Sequence, residues 1–187
     1  IIGESGAGKS TLLHIMSCID NFDGEYYLDN IDINKLSESK KSKLRSSKIG
    51  IVLQDFALID DFTVFENVMT PLYFNKKIKD KKGSVMRALK KTGIASLKSK
   101  KVSQLSGGQK QRVAISRALV TSPEYIFADE PTGSLDSKTS EEIVKMLFDL
   151  NRNGITIIIV THNLDIANKC QRVIEIKDGN IIEDNCS

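Results

Sequence analysis

Gly3-Glu4-Ser5-Gly6-Ala7-Gly8-Lys9-Ser10 fits the pattern G-x-x-x-x-G-K-[ST], a set of residue types suited to gripping a chain of phosphates. Glycines let a backbone bend tightly and bring its N–H groups against phosphate oxygens. A helix starting just after the loop would aim its positive end at the same anion. Lys9 would supply a mobile positive charge, and the Ser10 hydroxyl a hard oxygen ligand for Mg2+. Tyr125-Ile126-Phe127-Ala128-Asp129-Glu130 is an apolar run that ends in two carboxylates. Unpaired acids at the end of a buried strand are costly without a use. Ligands of open α/β sheets gather at the carboxyl ends of strands. Asp129 is therefore expected to hold the metal, directly or through water, and Glu130 to orient or deprotonate an attacking water. Leu105-Ser106-Gly107-Gly108-Gln109 reads as an N-cap followed by two glycines that open a helix near Gln109. The residues alone require only an ordinary capped helix there, although its first N–H groups would make a second anion site.

These residues need a scaffold. Ile49 to Leu53, Tyr125 to Ala128 and Thr156 to Val160 are nearly continuous in β-branched and aromatic residues, as parallel strands covered on both faces should be. Helical spacing separates them, over Ser10 to Ile19, Gly108 to Val120 and Lys138 to Leu150. The alternation predicts an α/β domain with right-handed crossovers. Two antiparallel hairpins are expected, Glu25 to Ile33 turning at Asp29-Asn30 and Arg172 to Glu183 turning at Asp178-Gly179. The stretch from Glu66 to Val102 breaks the rhythm and reads as a helical insertion, part of a helical subdomain over about 66–120 inside a domain of 1–187.

A chain of 187 residues that is 40% hydrophobic and 27% charged is a folded domain, not a disordered or collagen-like chain. Its longest purely apolar runs, such as Ile157 to Val160, are far short of the about 20 residues that cross a bilayer. Cys18, Cys170 and Cys186 are scattered and odd in number, which predicts a reducing cytosol rather than a disulfide framework. Ile1 and Ile2 lead straight into the phosphate motif without an initiator Met, so the chain reads as truncated inside its first strand. Lys76 to Lys101 carries eleven basic residues and one acid, Asp80, within a chain of net charge +3. That segment is either a solvated helical face or a surface drawn to an anionic membrane. It holds no aromatic residue to stack a base, which argues against a nucleic-acid partner.

Together the motifs resemble the ATP-binding cassette family of transporter ATPases, a P-loop fold with a mainly parallel core, an antiparallel β portion and a helical signature subdomain. Gly3 to Thr11 matches its Walker A loop, Tyr125 to Glu130 its Walker B strand and Leu105 to Gln109 its signature. Gln54 looks like its Q-loop glutamine, Ser134-Leu135-Asp136 its D-loop and His162 its switch histidine, all in family order. The resemblance implies ATP and Mg2+ as ligands. Gly3, Glu4, Ser5, Gly6, Ala7, Gly8, Lys9, Ser10 and Thr11 would hold the nucleotide, and Ser10, Gln54 and Asp129 the metal. Glu130, His162 and Gln54 would carry the hydrolysis. Ser106, Gly107, Gly108, Gln109 and Asp136 would complete the site of a second copy in a head-to-tail homodimer. Separate permease subunits would place the chain on the cytoplasmic face of the membrane. Asp129 to Asp136 is similar to the subgroup of macrolide exporters, lipoprotein-release and peptide-antibiotic-resistance ATPases; Phe56 to Asn67 is similar to bacteriocin exporters. Cargo is set by subunits outside this sequence. His14 matches no motif and reads as a helix-face residue.

The family also has strands ahead of Walker A, with an aromatic residue that stacks on adenine. The chain starts past them, and Tyr26 and Tyr27, in a hairpin, do not match that residue. Sheet backbone is expected to be left open there. The competing expectations are a soluble cassette ATPase acting on DNA or ribosomes, and a catalytically dead regulatory cassette, which intact Lys9, Asp129, Glu130 and His162 oppose.

Overall fold

In chain order, the computed structural model, which describes residues 1–186, runs through α1 (Lys9–Met16), the hairpin of β1 (Tyr27–Leu28) and β2 (Ile31–Asp32), α2 (Glu38–Lys48) and β3 (Ile49–Val52). It continues through α3 (Val64–Phe74), α4 (Lys81–Lys91), α5 (Gly107–Leu119), β4 (Tyr125–Asp129), α6 (Ser137–Arg152), β5 (Thr156–Val160), α7 (Leu164–Ala167), β6 (Arg172–Lys177) and β7 (Asn180–Cys186). Strands β3, β4 and β5 lie side by side and parallel, with Val52 opposite Ala128 and Asp129 opposite Val160.

Residues on β4 alternate between two layers, as the two-residue period of a strand requires. Ile126 and Ala128 join a core with Val68 of α3, Ile115 of α5 and Leu147 of α6. Phe127 points the other way, into a core with Leu13 of α1, Leu44 of α2 and Ile33, which lies between β2 and α2. The sheet is thus covered on both faces, which is why its strands are apolar throughout. Gly50 of β3 has a packing reason: a Cβ there would stand 2.6 Å from the Ala118 carbonyl oxygen of α5.

Ile1 and Ile2 extend the sheet beyond β5. The Ile1 amino group donates to Ile159 O at 2.7 Å, and Thr161 N to Ile1 O at 3.1 Å. On the far side Ile2 N donates to Ile174 O and Ile176 N to Ile2 O. This two-residue piece therefore joins the parallel core to the antiparallel pair β6–β7. Strand β7 is exposed along its length, with Ile181 and Ile182 open.

Both hairpins turn where the residue types predict. Asp29 and Asn30 have φ of 49° and 62°, and Asp178 and Gly179 have 48° and 78°, the left-handed pairs of tight hairpin turns. Helix α1 stops at Met16, short of Ile19, and α5 begins at Gly107, two residues before Gln109. Helix α2 has no counterpart in the sequence reading. Its sequence ESKKSKLRSSK buries only Leu44, so no apolar stripe announces it.

Candidate nucleotide-binding and hydrolysis site

Register across the sheet sets the order of the site. Gly3 follows the strand-like piece beside β5, Thr161 and His162 follow β5, Asp129 ends β4 with Glu130 after it, and Gln54 follows β3. Four carboxyl ends stand in one row at strand spacings of about 4.8 Å. The phosphate motif therefore lies roughly 10 Å, two strand spacings, from the acids.

The loop is built from backbone. Gly3, Gly6 and Gly8 have φ of 147°, 83° and 95°. A Cβ on Gly3 would stand 2.1 Å from Ile176 O, so only glycine fits between the loop and β6. Glu4, Ser5 and Gly6 are exposed, Ala7 is buried, and Gly179 N in the β6–β7 turn donates to Ala7 O at 3.1 Å. Gly8 starts α1 with no side-chain cap, leaving the first helical N–H groups, those of Lys9, Ser10 and Thr11, to face whatever binds. Buried Lys9 folds back, its Nζ donating to Gly3 O at 2.9 Å and Glu4 O at 2.8 Å. Ser10 and Thr11 lie exposed in the first turn.

The two acids sit in different surroundings. Asp129 is buried and its Oδ1 has no partner. A buried carboxylate oxygen left without a donor is unfavourable, and it and the exposed Ser10 hydroxyl are both hard oxygens of the kind Mg2+ takes. Glu130 has φ of 42°, a left-handed conformation costing a side-chain-bearing residue about 1–2 kcal/mol. The twist sends its carboxylate towards the end of β5. Oε2 accepts from Thr161 Oγ1 at 3.2 Å; Oε1 accepts from His162 N at 3.0 Å and lies 2.7 Å from His162 Nδ1. A cavity of about 720 Å3 opens beside Glu130, Thr161 and His162, lined also by Ser140 and Phe148. Gln54 is exposed, and its carbonyl oxygen accepts from Ser134 Oγ at 3.5 Å.

Ser106 caps α5. Its Oγ accepts from Gln109 N at 3.4 Å, and Gln109 Oε1 accepts from Ser106 N at 3.2 Å. The glycines there meet α6 and the turn before it, not the phosphate loop: a Cβ on Gly107 would lie 3.4 Å from Leu135, and one on Gly108 2.4 Å from the Thr139 methyl. Asp136 caps α6, accepting from Thr139 N at 3.0 Å and Thr139 Oγ1 at 2.6 Å. The hydroxyl, then the N–H, hold its carboxyl below the ordinary aspartate range.

Three contributors escaped the sequence reading. Thr161 holds Glu130, as above. Arg117 of α5 donates to the carbonyl oxygens of Phe56 and Ala57, just after Gln54; burial lowers its pKa from the ordinary arginine value. Gln111 of α5 is 1% exposed and donates through Nε2 to Pro131 O at 2.6 Å. A signal existed for Gln111: it stands in helical phase with Ala114, Ile115 and Ala118, a polar residue on an apolar stripe.

Comparison with known proteins places this arrangement. The family model described as ABC transporter matches residues 1–133. The chain is 46% identical over 186 residues to the ABC transporter ATP-binding protein YvrO of Bacillus subtilis (strain 168), covering 98% of this chain and 81% of that one. It is 45% identical over 186 residues to the macrolide export ATP-binding/permease protein MacB of Mannheimia succiniciproducens, covering 98% of this chain but 29% of that protein. Its fold superposes with a TM-score of 0.89 at 42% identity on the dimeric, post-hydrolysis ATP-binding cassette MJ0796 bound to ADP and Pi, covering 99% of this chain and 83% of that one. A protein of the same name is known from Methanocaldococcus jannaschii.

Proposed function

We propose, from the premise that this chain belongs to the ABC transporter family, that it is the motor of a pump that exports cargo or extracts it from a membrane. The chain is an ATP-binding and ATP-hydrolysing cassette. Its relatives are named as transporter ATP-binding proteins, which sets the DNA- or ribosome-directed alternative aside.

One observation supports the residue roles above the others: the row of Gln54, Asp129 with Glu130, Thr161 with His162, and Gly3 at adjoining strand ends. Residues Gly3 to Thr11 hold the phosphates, and Lys9 exchanges its two loop carbonyls for phosphate oxygens. Mg2+, held by Ser10, Asp129 and Gln54, would neutralise charge on the transferring phosphate. Glu130 accepts a proton from the water that attacks the terminal phosphorus, and ADP leaves. His162, paired with that carboxylate, keeps it aimed and can contact the terminal phosphate.

Ser106 to Gln109 and Asp136 face a second copy, whose nucleotide they cover. Capping uses Ser106 Oγ only as an acceptor, so its proton stays free for an outside oxygen. The solved cassette MJ0796 is dimeric. Residues 66–120 would form a helical arm within a nucleotide-binding domain of 1–187. No helix among the described residues is long and apolar enough to cross a membrane; as part of the proposal, the permease is placed in separate membrane subunits with the chain on their cytoplasmic face. The basic segment 76–101 and the exposed Tyr73 and Phe74, 64% and 75% open, suit a surface close to anionic lipid or to those subunits. The cargo class is a drug, peptide, antimicrobial or lipoprotein.

Glu130→Gln tests the mechanism. Hydrolysis should fall on the order of 10²–10⁴-fold while ATP still binds, trapping a dimer visible by light scattering. Turnover near the wild-type rate would remove Glu130 from the proton-accepting role.

A further inference from the structure

We infer that Gln111, one turn into α5, is a positioning residue that ties the signature helix to the chain's own Glu130. The inference rests on the ATPase reading above. Its amide sits in the core at 1% exposure, with Nε2 donating to Pro131 O at 2.6 Å. Pro131 is the residue after Glu130, whose backbone already holds the left-handed φ of 42° that turns its carboxylate towards Thr161 and His162.

Stability does not account for an amide here. Gln111 Oε1 is buried without a partner, so the side chain makes one bond and strands one acceptor. An apolar side chain of the same length would fill the space and strand no acceptor on its own atoms. What glutamine adds is a directional hold on one carbonyl.

A second contact makes that hold a mechanical link. Gly108 leaves no room between α5 and Thr139, where a Cβ would come within 2.4 Å of the Thr139 methyl. Thr139 is itself locked by both oxygens of Asp136. The start of α5 thus grips the 130–139 segment at both ends, at Pro131 and at Thr139. When a second copy's nucleotide draws the Ser106 end of α5, the displacement reaches the residue beside Glu130. Engagement at one site then sets the geometry at the other.

The test is Gln111→Met in the full chain, with three readouts. The melting temperature should change little, because the loss of the stranded Oε1 offsets the Pro131 carbonyl left without its donor. Amide exchange at Gly133 and Leu135, whose N–H groups bond Glu130 O and Thr132 O, should quicken about tenfold while α3 and α4 stay unchanged. The kcat should fall about tenfold to a hundredfold with KM for ATP unchanged. Gln111→Glu gives an independent arm: its buried carboxyl can donate to Pro131 O only while protonated. Its kcat relative to wild type should recover as pH falls, and that of Gln111→Met should not. Unchanged exchange with unchanged kcat would overturn the assignment, as would a lowered melting temperature with faster exchange everywhere. Absence of ATP turnover in the wild-type chain would instead sink the ATPase reading, and the exchange comparison would still decide Gln111.

Discussion

The phosphate loop and the signature turn are both glycine-rich helix starts, and they are finished in opposite ways. Helix α1 begins at Gly8 with no side-chain cap, whereas α5 begins at Ser106 inside a complete capping box. The loop leans on the β6–β7 turn through Gly179 and Ala7; the signature turn leans on α6 through Gly108 and Thr139. Glycine serves different ends as well. In the loop it permits positive φ, at 83° for Gly6 and 95° for Gly8, while at Gly108 it clears space for a neighbour. A bare helix start is ready for an anion carried by its own chain. A capped one keeps its shape with no ligand and can offer a hydroxyl proton to a second molecule.

The sharpest way to break that contrast is Lys9→Ala. It should lower hydrolysis on the order of 10²–10³-fold and abolish nucleotide-dependent dimerisation, measured by phosphate release and light scattering. Unchanged ATP affinity would contradict the phosphate contact. Mixing Lys9→Ala chains with Ser106→Arg chains, each inactive alone, should restore about a quarter of wild-type turnover, since half of the dimers are mixed and each has one intact pair of surfaces. A mixture as inactive as its parts would mean that the two regions do not meet across a dimer.

Gly108→Ala should have a smaller effect. Thr139 must move, so turnover should drop about tenfold while nucleotide binding to the isolated chain stays unchanged. A loss of binding would instead place Gly108 beside its own chain's nucleotide. The smallest effect concerns acid. Asp136 has a depressed folded pKa, so its cap contributes above the ordinary aspartate range and is lost as pH falls through the folded value. The α6 start should therefore hold through mildly acidic pH and weaken only below that range. Asp136→Asn, which keeps an acceptor, should flatten this acid limb in melting temperature against pH; an identical limb would mean that other carboxylates set it.

Legibility followed the physical range of each signal. Strand and helix alternation, both hairpin turns, the glycine-rich loop and the acids at the end of β4 were readable because each rests on local chemistry: apolar runs, φ-permissive residues and a charge ending a buried strand. Helix α2 was not, because it buries only Leu44 and so writes no periodic stripe. Arg117 and Thr161 carry no local mark at all, since their partners, Phe56, Ala57 and Glu130, lie 61, 60 and 31 positions away.

By itself, then, the order of residues determined the chemistry on offer: a lysine-bearing glycine loop, a pair of acids, a histidine and a capped glycine helix. Tertiary structure decided which of these share a place. Parallel pairing with Asp129 opposite Val160 set the acids beside Thr161 and His162, and the hydrogen bonds of Ile1 and Ile2 set the loop one strand further on. Register between strands far apart in the chain is fixed by packing of the whole sheet, and no short stretch of sequence encodes it. The same packing left Gln111 buried beneath the turn after β4 with one bond made and one acceptor stranded.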